Sequence, residues 1–237
     1  MLWPIFPTPR VIRTRRRATA AKGESSHGPD IDEQQVDERL VARARQGDVA
    51  AFHDLVDRHQ VAIFNVVLRT VNDPGTAEDV TQDTFMRAWR SLAQFRGGNV
   101  RGWLMRIAVN RAYDTLRTRK RRPSESLDAL DYEPVTAWSS NVSASEDPHA
   151  FSARSELSEA LESMLARLPD DQRTALLLVD LQGFSYDEAA GIMQVAPGTI
   201  KSRISRARSR LREEMRADTR RSELFNRFLR QDSESPA

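Results

Sequence analysis

The residues best able to do chemistry in this chain lie between Pro197 and Arg212. Lys201, Arg203, Arg206, Arg208, Arg210 and Arg212 are interleaved there with Thr199, Ser202 and Ser205, and no acid intervenes. Arg and Lys reach guanine edges in the major groove, while Ser and Thr hydroxyls serve phosphates or bases. Ile200, Ile204, Ala207, Leu211 and Met215 recur at steps of four, three, four and four, which gathers them on one face of a helix. The cations and hydroxyls are left on the other faces. This is binding chemistry. No nucleophile–base pair, phosphate loop or metal cluster is legible, so neither an enzyme nor a bound cofactor is expected. His53 and His59, six apart on one helix, point to different faces and are not expected to hold a metal.

Such a helix must be presented, and the residues before it do so. Ser185-Tyr186-Asp187-Glu188 reads as a capping box, with Ser185 the cap and Glu188 returning the bond. Ala189, Ala190 and Gly191 are small enough for another helix to approach closely. Gln194-Val195-Ala196 forms a turn, and Pro197 suits the first position of the next helix. A short capped helix, a tight turn and a longer basic helix make a helix-turn-helix, whose second helix enters the major groove. An ordinary helical hairpin with a solvated basic face is the alternative.

Further upstream, Phe52, Leu55, Val56, His59, Ile63, Val66 and Val67 form one helical stripe, closed by Asn72-Asp73-Pro74-Gly75. Ala77, Val80, Phe85, Trp89, Leu92 and Phe95 form a second, which stops at Arg96-Gly97-Gly98-Asn99. Val100, Trp103, Leu104, Ile107, Ala108 and Leu116 form a third. Leu157, Leu161, Leu165 and Leu168 then open a second unit, in which Pro169 is expected at a helix's first position and Gly183 at its end. The fold class expected is all-α, two small helical domains at 33–122 and 155–216. A disordered basic arm (1–32), a flexible acidic linker (123–154) and a tail (217–237) complete the organisation.

The 237 residues hold 36 Lys plus Arg against 34 Asp plus Glu, a net charge of only +2. That sum conceals opposed blocks. Residues 101–122 carry eight bases against Asp114, 123–150 carry six acids and no Lys or Arg, and 197–212 carry six bases and no acid. Two basic blocks flanking an acidic linker are the footprint of a bipartite polyanion binder. With no cysteine, disulfides, thiolate zinc sites and cysteine nucleophiles are excluded. That absence is compatible with a reducing cytoplasm, the location expected. No stretch approaches the roughly 20 apolar residues of a membrane span, so no membrane insertion is expected.

Ala77-Glu78-Asp79-Val80-Thr81-Gln82-Asp83-Thr84-Phe85-Met86-Arg87-Ala88-Trp89 resembles the most characteristic stretch of sigma-70 family initiation factors. Phe95-Arg96-Gly97 and Gly102 to Arg111 continue the resemblance. In the second unit it is carried by Leu168 to Arg173, Gly183 to Ala190 and Pro197 to Arg203. Only stretches like regions 2 and 4 are present, a two-domain form similar to the extracytoplasmic-function (ECF) group.

The resemblance implies a protein that binds core RNA polymerase, through the β′ clamp helices and the β flap, and directs promoter-specific initiation. Asp79, Gln82, Asp83, Met86 and Trp89 would face the β′ clamp helices, whereas Val80 and Phe85 are expected to pack internally. Asn99 would read a flipped base of the melted −10 element, with Arg96, Arg101, Arg106, Asn110 and Arg111 beside it on the loop and helix, the last four holding phosphates. Trp103 is in register with Ile107 and is expected in the core. Lys201, Ser202, Ser205 and Arg206 would read the double-stranded −35 element, with Thr199 and Arg203 nearer the DNA backbone. An anti-sigma factor is the further partner implied. Two departures stand out. Gln194 occupies a turn position where the family often has Gly, so it must adopt a strained backbone or shift the turn. Ser205 stands where a larger residue is common. The rivals weighed are a stand-alone helix-turn-helix regulator and a helical interaction protein.

Overall fold

Eight α-helices and no strand are found among the residues described by the computed structural model, 29–121 and 148–217. The expected linker up to residue 147, the arm up to residue 28 and the tail from 218 lie outside them. Four helices make the first unit: α1 (Pro29–Arg45), α2 (Val49–Val71), α3 (Pro74–Ser91) and α4 (Val100–Arg121). The second holds α5 (Pro148–Ala166), α6 (Asp170–Leu176), α7 (Tyr186–Met193) and α8 (Pro197–Ala217). Helix α5 begins ahead of the boundary expected at 155, with Pro148 at its first position, where a missing N–H leaves no bond unmade.

Local chemistry fixes most ends. Asp48 caps α2 by accepting from Ala51 N at 3.1 Å. Asn72 ends α2 in the left-handed region, with φ 56°, and Asp73 caps α3 by accepting from Thr76 N at 2.7 Å. All seven residues of the first stripe, His59 included, are buried on α2, as are Val80 and Phe85 on α3. Trp89 packs edge-on against Phe52, ring centroids 4.9 Å apart. His59 is held in the core because Asp37, on α1, lies 2.8 Å from its Nε2 and also takes a 2.8 Å bond from Arg58 Nε. Burial raises the Asp37 carboxyl, but His59 and Arg58 more than offset it and hold the group below its ordinary value.

Two expectations need correction. Pro169 stands one position earlier than expected, at the cap of α6 rather than inside it. Between α6 and Gly183 the chain makes a π-helical turn, Leu177–Leu181, which the apolar periodicity did not reveal. Gly183 closes that segment with φ 72° and donates to Val179 O at 3.1 Å.

The two units pack together. Their buried residues form one apolar cluster, from Leu40 to Ala112 and from Leu168 to Ala207. Arg69 of α2, nearly fully buried, is paired with Glu162 of α5 at 2.7 Å. Arg173 of α6 donates to Thr70 O at 2.8 Å. Burial pushes the Arg173 guanidinium down, and Asp170, 2.8 Å away, opposes that. Helix α7 lies against α4.

Candidate nucleic-acid and partner interfaces

The basic helix is built as its spacing requires. Ser185 Oγ accepts from Glu188 N at 3.2 Å and Glu188 Oε2 accepts from Ser185 N at 2.9 Å, a complete capping box at the start of α7. Gln194 does not shift the turn; it takes the left-handed conformation, φ 56° and ψ 46°, in the place Gly would occupy without strain. Pro197 then opens α8. Ile200, Ile204 and Ala207 are fully buried, so the opposite face of α8 is turned outward. Lys201, Ser205 and Arg206 are exposed on it, and Thr199 is half-buried. Ser202 Oγ donates to Thr199 O at 2.9 Å, which occupies its proton. Arg203 is not with this set: it turns towards α6 and pairs with Asp171 at 3.0 Å. Arg208, similarly, is held by Asp180 at 2.6 Å.

On α3, Asp79, Gln82 and Met86 fall at steps of three and four and are exposed, Met86 by 47%. An exposed thioether with carboxylate and amide beside it is a small adaptable anchor with a polar rim. Asp83, half-buried, bridges Arg87 at 2.9 Å and Arg111 of α4. Burial raises its carboxyl, but the two guanidinium groups outweigh that and lower it overall. Trp89 lies mostly under this surface, against Phe52, and offers it only an edge.

The loop between α3 and α4 is fixed at both ends. Phe95 packs on Trp103 with centroids 4.9 Å apart, which gives Trp103 its core role. Arg45 of α1 donates to Leu92 O at 3.0 Å. Gly97 and Gly98 turn the chain with φ 91° and 93°, values open to glycine. Asn99 then caps α4, its Oδ1 accepting from Gly102 N at 2.8 Å, a role the sequence reading missed although Asn ahead of an apolar period signals it. With Oδ1 so occupied, only its Nδ2 is free to face outward.

The structure brings Asn99, Arg101, Arg106 and Asn110 to one side of the loop and α4, and that side meets the second unit. Asn99 Nδ2 donates to Glu188 Oε1 at 2.8 Å. Arg101 donates to Gln182 Oε1 at 2.9 Å and to its main-chain carbonyl, and lies over the Phe184 ring at 4.4 Å. In the amide orientation that suits its neighbours, Gln194 Oε1 accepts from Arg106 Nε and Asn110 Nδ2, both at 3.1 Å. Burial raises the Glu188 carboxyl, but the bonds from Ser185 and Asn99 and the charge of Arg101 hold it below its ordinary value. Arg111 faces Asp83 instead, and Arg96 is exposed on the loop. No group of His, Asp and Glu among the described residues could hold a metal, and no described helix is long and apolar enough to cross a membrane.

Family models match both units: Sigma-70 region 2 over residues 55–122 and Sigma-70 region 4 over 158–211. The RNA polymerase sigma-H factor of Pseudomonas aeruginosa is 38% identical over 176 residues, 74% of this chain and 91% of that one. The ECF RNA polymerase sigma-E factor of Escherichia coli is 39% identical over 180 residues, covering 75% and 93%. Among solved structures, CnrH in complex with the cytosolic domain of CnrY is similar at TM-score 0.57 and 28% identity, over 78% of this chain and 99% of that one. The sigma factor RpoE of Bartonella quintana, crystallised with the anti-sigma factor NepR, is similar at TM-score 0.55 and 31% identity, over 70% and 98%.

Proposed function

The chain belongs to the ECF group of the sigma-70 family, and on that premise we propose that it binds core RNA polymerase and directs promoter-specific initiation by reading −35 and −10 elements. The observation that carries this is the outward face of α8, where exposed Lys201, Ser205 and Arg206 stand over buried Ile200, Ile204 and Ala207 in a capped helix-turn-helix. A helix held from behind in this way can insert into the major groove without unpacking. Lys201 and Arg206 supply donors for guanine O6 and N7, and Ser205 is short enough to let α8 approach the base edges. Thr199 and Ser202 serve the flanking phosphates.

The organisation we propose is a region 2 domain over 33–122 and a region 4 domain over 155–216. In the first, the Asp79, Gln82 and Met86 strip docks on the clamp helices of the polymerase β′ subunit, while region 4 meets the β flap. The loop Arg96–Asn99 and α4 take the melted −10 strand. There the Asn99 amide presents donors to a flipped base, and Arg101, Arg106, Asn110 and Arg111 hold its phosphates. The protein supplies positioning and charge; bond formation belongs to the polymerase. An anti-sigma factor is a further partner, by analogy with the complexes of CnrH and of RpoE.

Selection from a randomised duplex library tests the reading. With core polymerase, the chain should enrich a bipartite motif with −35 and −10 halves. Enrichment of one motif equally well without core, or of none with it, would contradict the proposal.

A further inference from the structure

We infer that the −10-reading side of α4 is also an intramolecular docking surface whose occupant is the chain's own helix-turn-helix, so that the free protein is closed and core polymerase must open it. The inference rests on the assignment of Asn99, Arg101, Arg106 and Asn110 to the melted strand. Three side chains of the second unit, Gln182, Glu188 and Gln194, engage all four.

The chemistry of the contact is that of a nucleic-acid substitute. Glu188 sets a carboxylate oxygen 2.8 Å from Asn99 Nδ2, near the positive charge of Arg101. Gln182 offers Arg101 a main-chain and a side-chain carbonyl, and Gln194 offers one amide oxygen to both Arg106 and Asn110. Each acceptor stands where a phosphate or base edge would. Glu188 divides its oxygens, Oε2 capping α7 and Oε1 meeting α4. Asn99 cannot turn away cheaply, because its Oδ1 is bonded to Gly102 N.

Distances make the closed state incompatible with promoter reading. The two elements lie about 25 base pairs apart by their names, roughly 85 Å along straight duplex at 3.4 Å per pair. Helix α8, 21 residues, is about 32 Å long, and the turn before it already touches α4. One closed chain cannot span both. The Asp79, Gln82 and Met86 strip and the outward face of α8 have no hydrogen bond or ion pair across the contact among the described residues. Polymerase can therefore dock on α3 first, with opening to follow.

The cysteine-free chain allows the test directly. Spin labels on R90C and R210C, both exposed positions, report the distance between the units. Glu188→Gln keeps an acceptor for Ser185 N but turns an NH2 group towards Asn99 Nδ2. Gln194→Gly removes the acceptor for Arg106 and Asn110 and suits the left-handed turn. Free wild type should show one narrow short-distance population, and the double variant a broad long one. A short fluorescein-labelled single-stranded DNA of mixed sequence should bind the free double variant about tenfold more tightly, as expected when the competent fraction rises from about a tenth to near unity. Transcription by the variant's holoenzyme should equal that of wild type, because neither residue contacts promoter DNA in the reading above. A long, broad distribution in free wild type, or variants with wild-type distance and affinity, would overturn the inference. Failure of wild-type holoenzyme to transcribe would instead overturn the proposed function, and the distance measurement would still decide whether the units are latched.

Discussion

Lys201 and Arg206 share charge with Arg203 but not its situation, and the difference sets what each substitution should do. The first two are exposed, whereas Arg203 lies at 3.0 Å from Asp171 with a side chain 21% exposed. Lys201→Ala and Arg206→Ala should each lower promoter-specific transcription about 10-fold to 100-fold, the loss of roughly 1–3 kcal/mol of base contact. Their melting temperatures should stay at wild type. Arg203→Ala should lower the melting temperature instead. Asp37 is a residue of the opposite kind, buried between Arg58 and His59 with no share in any interface. Removing it leaves both partners without their acceptor, so Asp37→Ala should destabilise the fold by about 3 kcal/mol in denaturant unfolding. Its folded pKa is depressed below 3.8. The stabilisation it contributes is therefore complete above that value and is lost as pH falls through the lowered one. Unfolding curves of wild type and variant should converge below about pH 3.

At the scale of elements, the ends of α2, α3, α7 and α8 were legible because caps and turns are local chemistry. Asn72-Asp73-Pro74, Ser185 with Glu188, and Pro197 each announce a boundary within four residues. Ser185→Ala should accordingly cost about 1 kcal/mol, measured by thermal unfolding. Stripes read from periodicity also reached the core, since burial of Leu55, Ile63, Leu104, Ile200 and Ile204 follows from helical spacing alone. What was not legible depends on other elements. The π-turn at Leu177–Leu181 and the shift of Pro169 to a cap are set by how α6 packs on α2 and α8, not by their own residues. Asn99 was seen as a reader of bases but not as a helix cap, and Trp89 as an interface residue although Phe52 holds most of it. The choice of Asp171 over DNA by Arg203 requires knowing where α6 ends up.

The whole molecule shows why charge arrangement is a better guide than net charge. Segments near +7 and +6 separated by one near −6 foretold two basic units, yet no pattern in the sequence foretold that polar groups of the second would cover the first. That cover has a pH signature. The Glu188 carboxyl, facing Asn99, Arg101 and Ser185, has a pKa lowered from 4.5 in the closed state. Its contribution to closure is thus fully present above 4.5 and lost as pH falls through the lowered value. Spin-label distances in the free chain should lengthen on acidification below about pH 4.5, and Glu188→Gln should abolish that transition. The central claim, that this chain confers promoter choice on polymerase, is met most directly by run-off transcription with purified core enzyme. Templates carrying the selected bipartite motif and a scrambled copy should be compared, with Lys201→Ala beside wild type. The account predicts a discrete transcript from the intact template alone, strongly reduced by the substitution. Equal transcription from both templates, or none while the core remains active on nicked DNA, would contradict it.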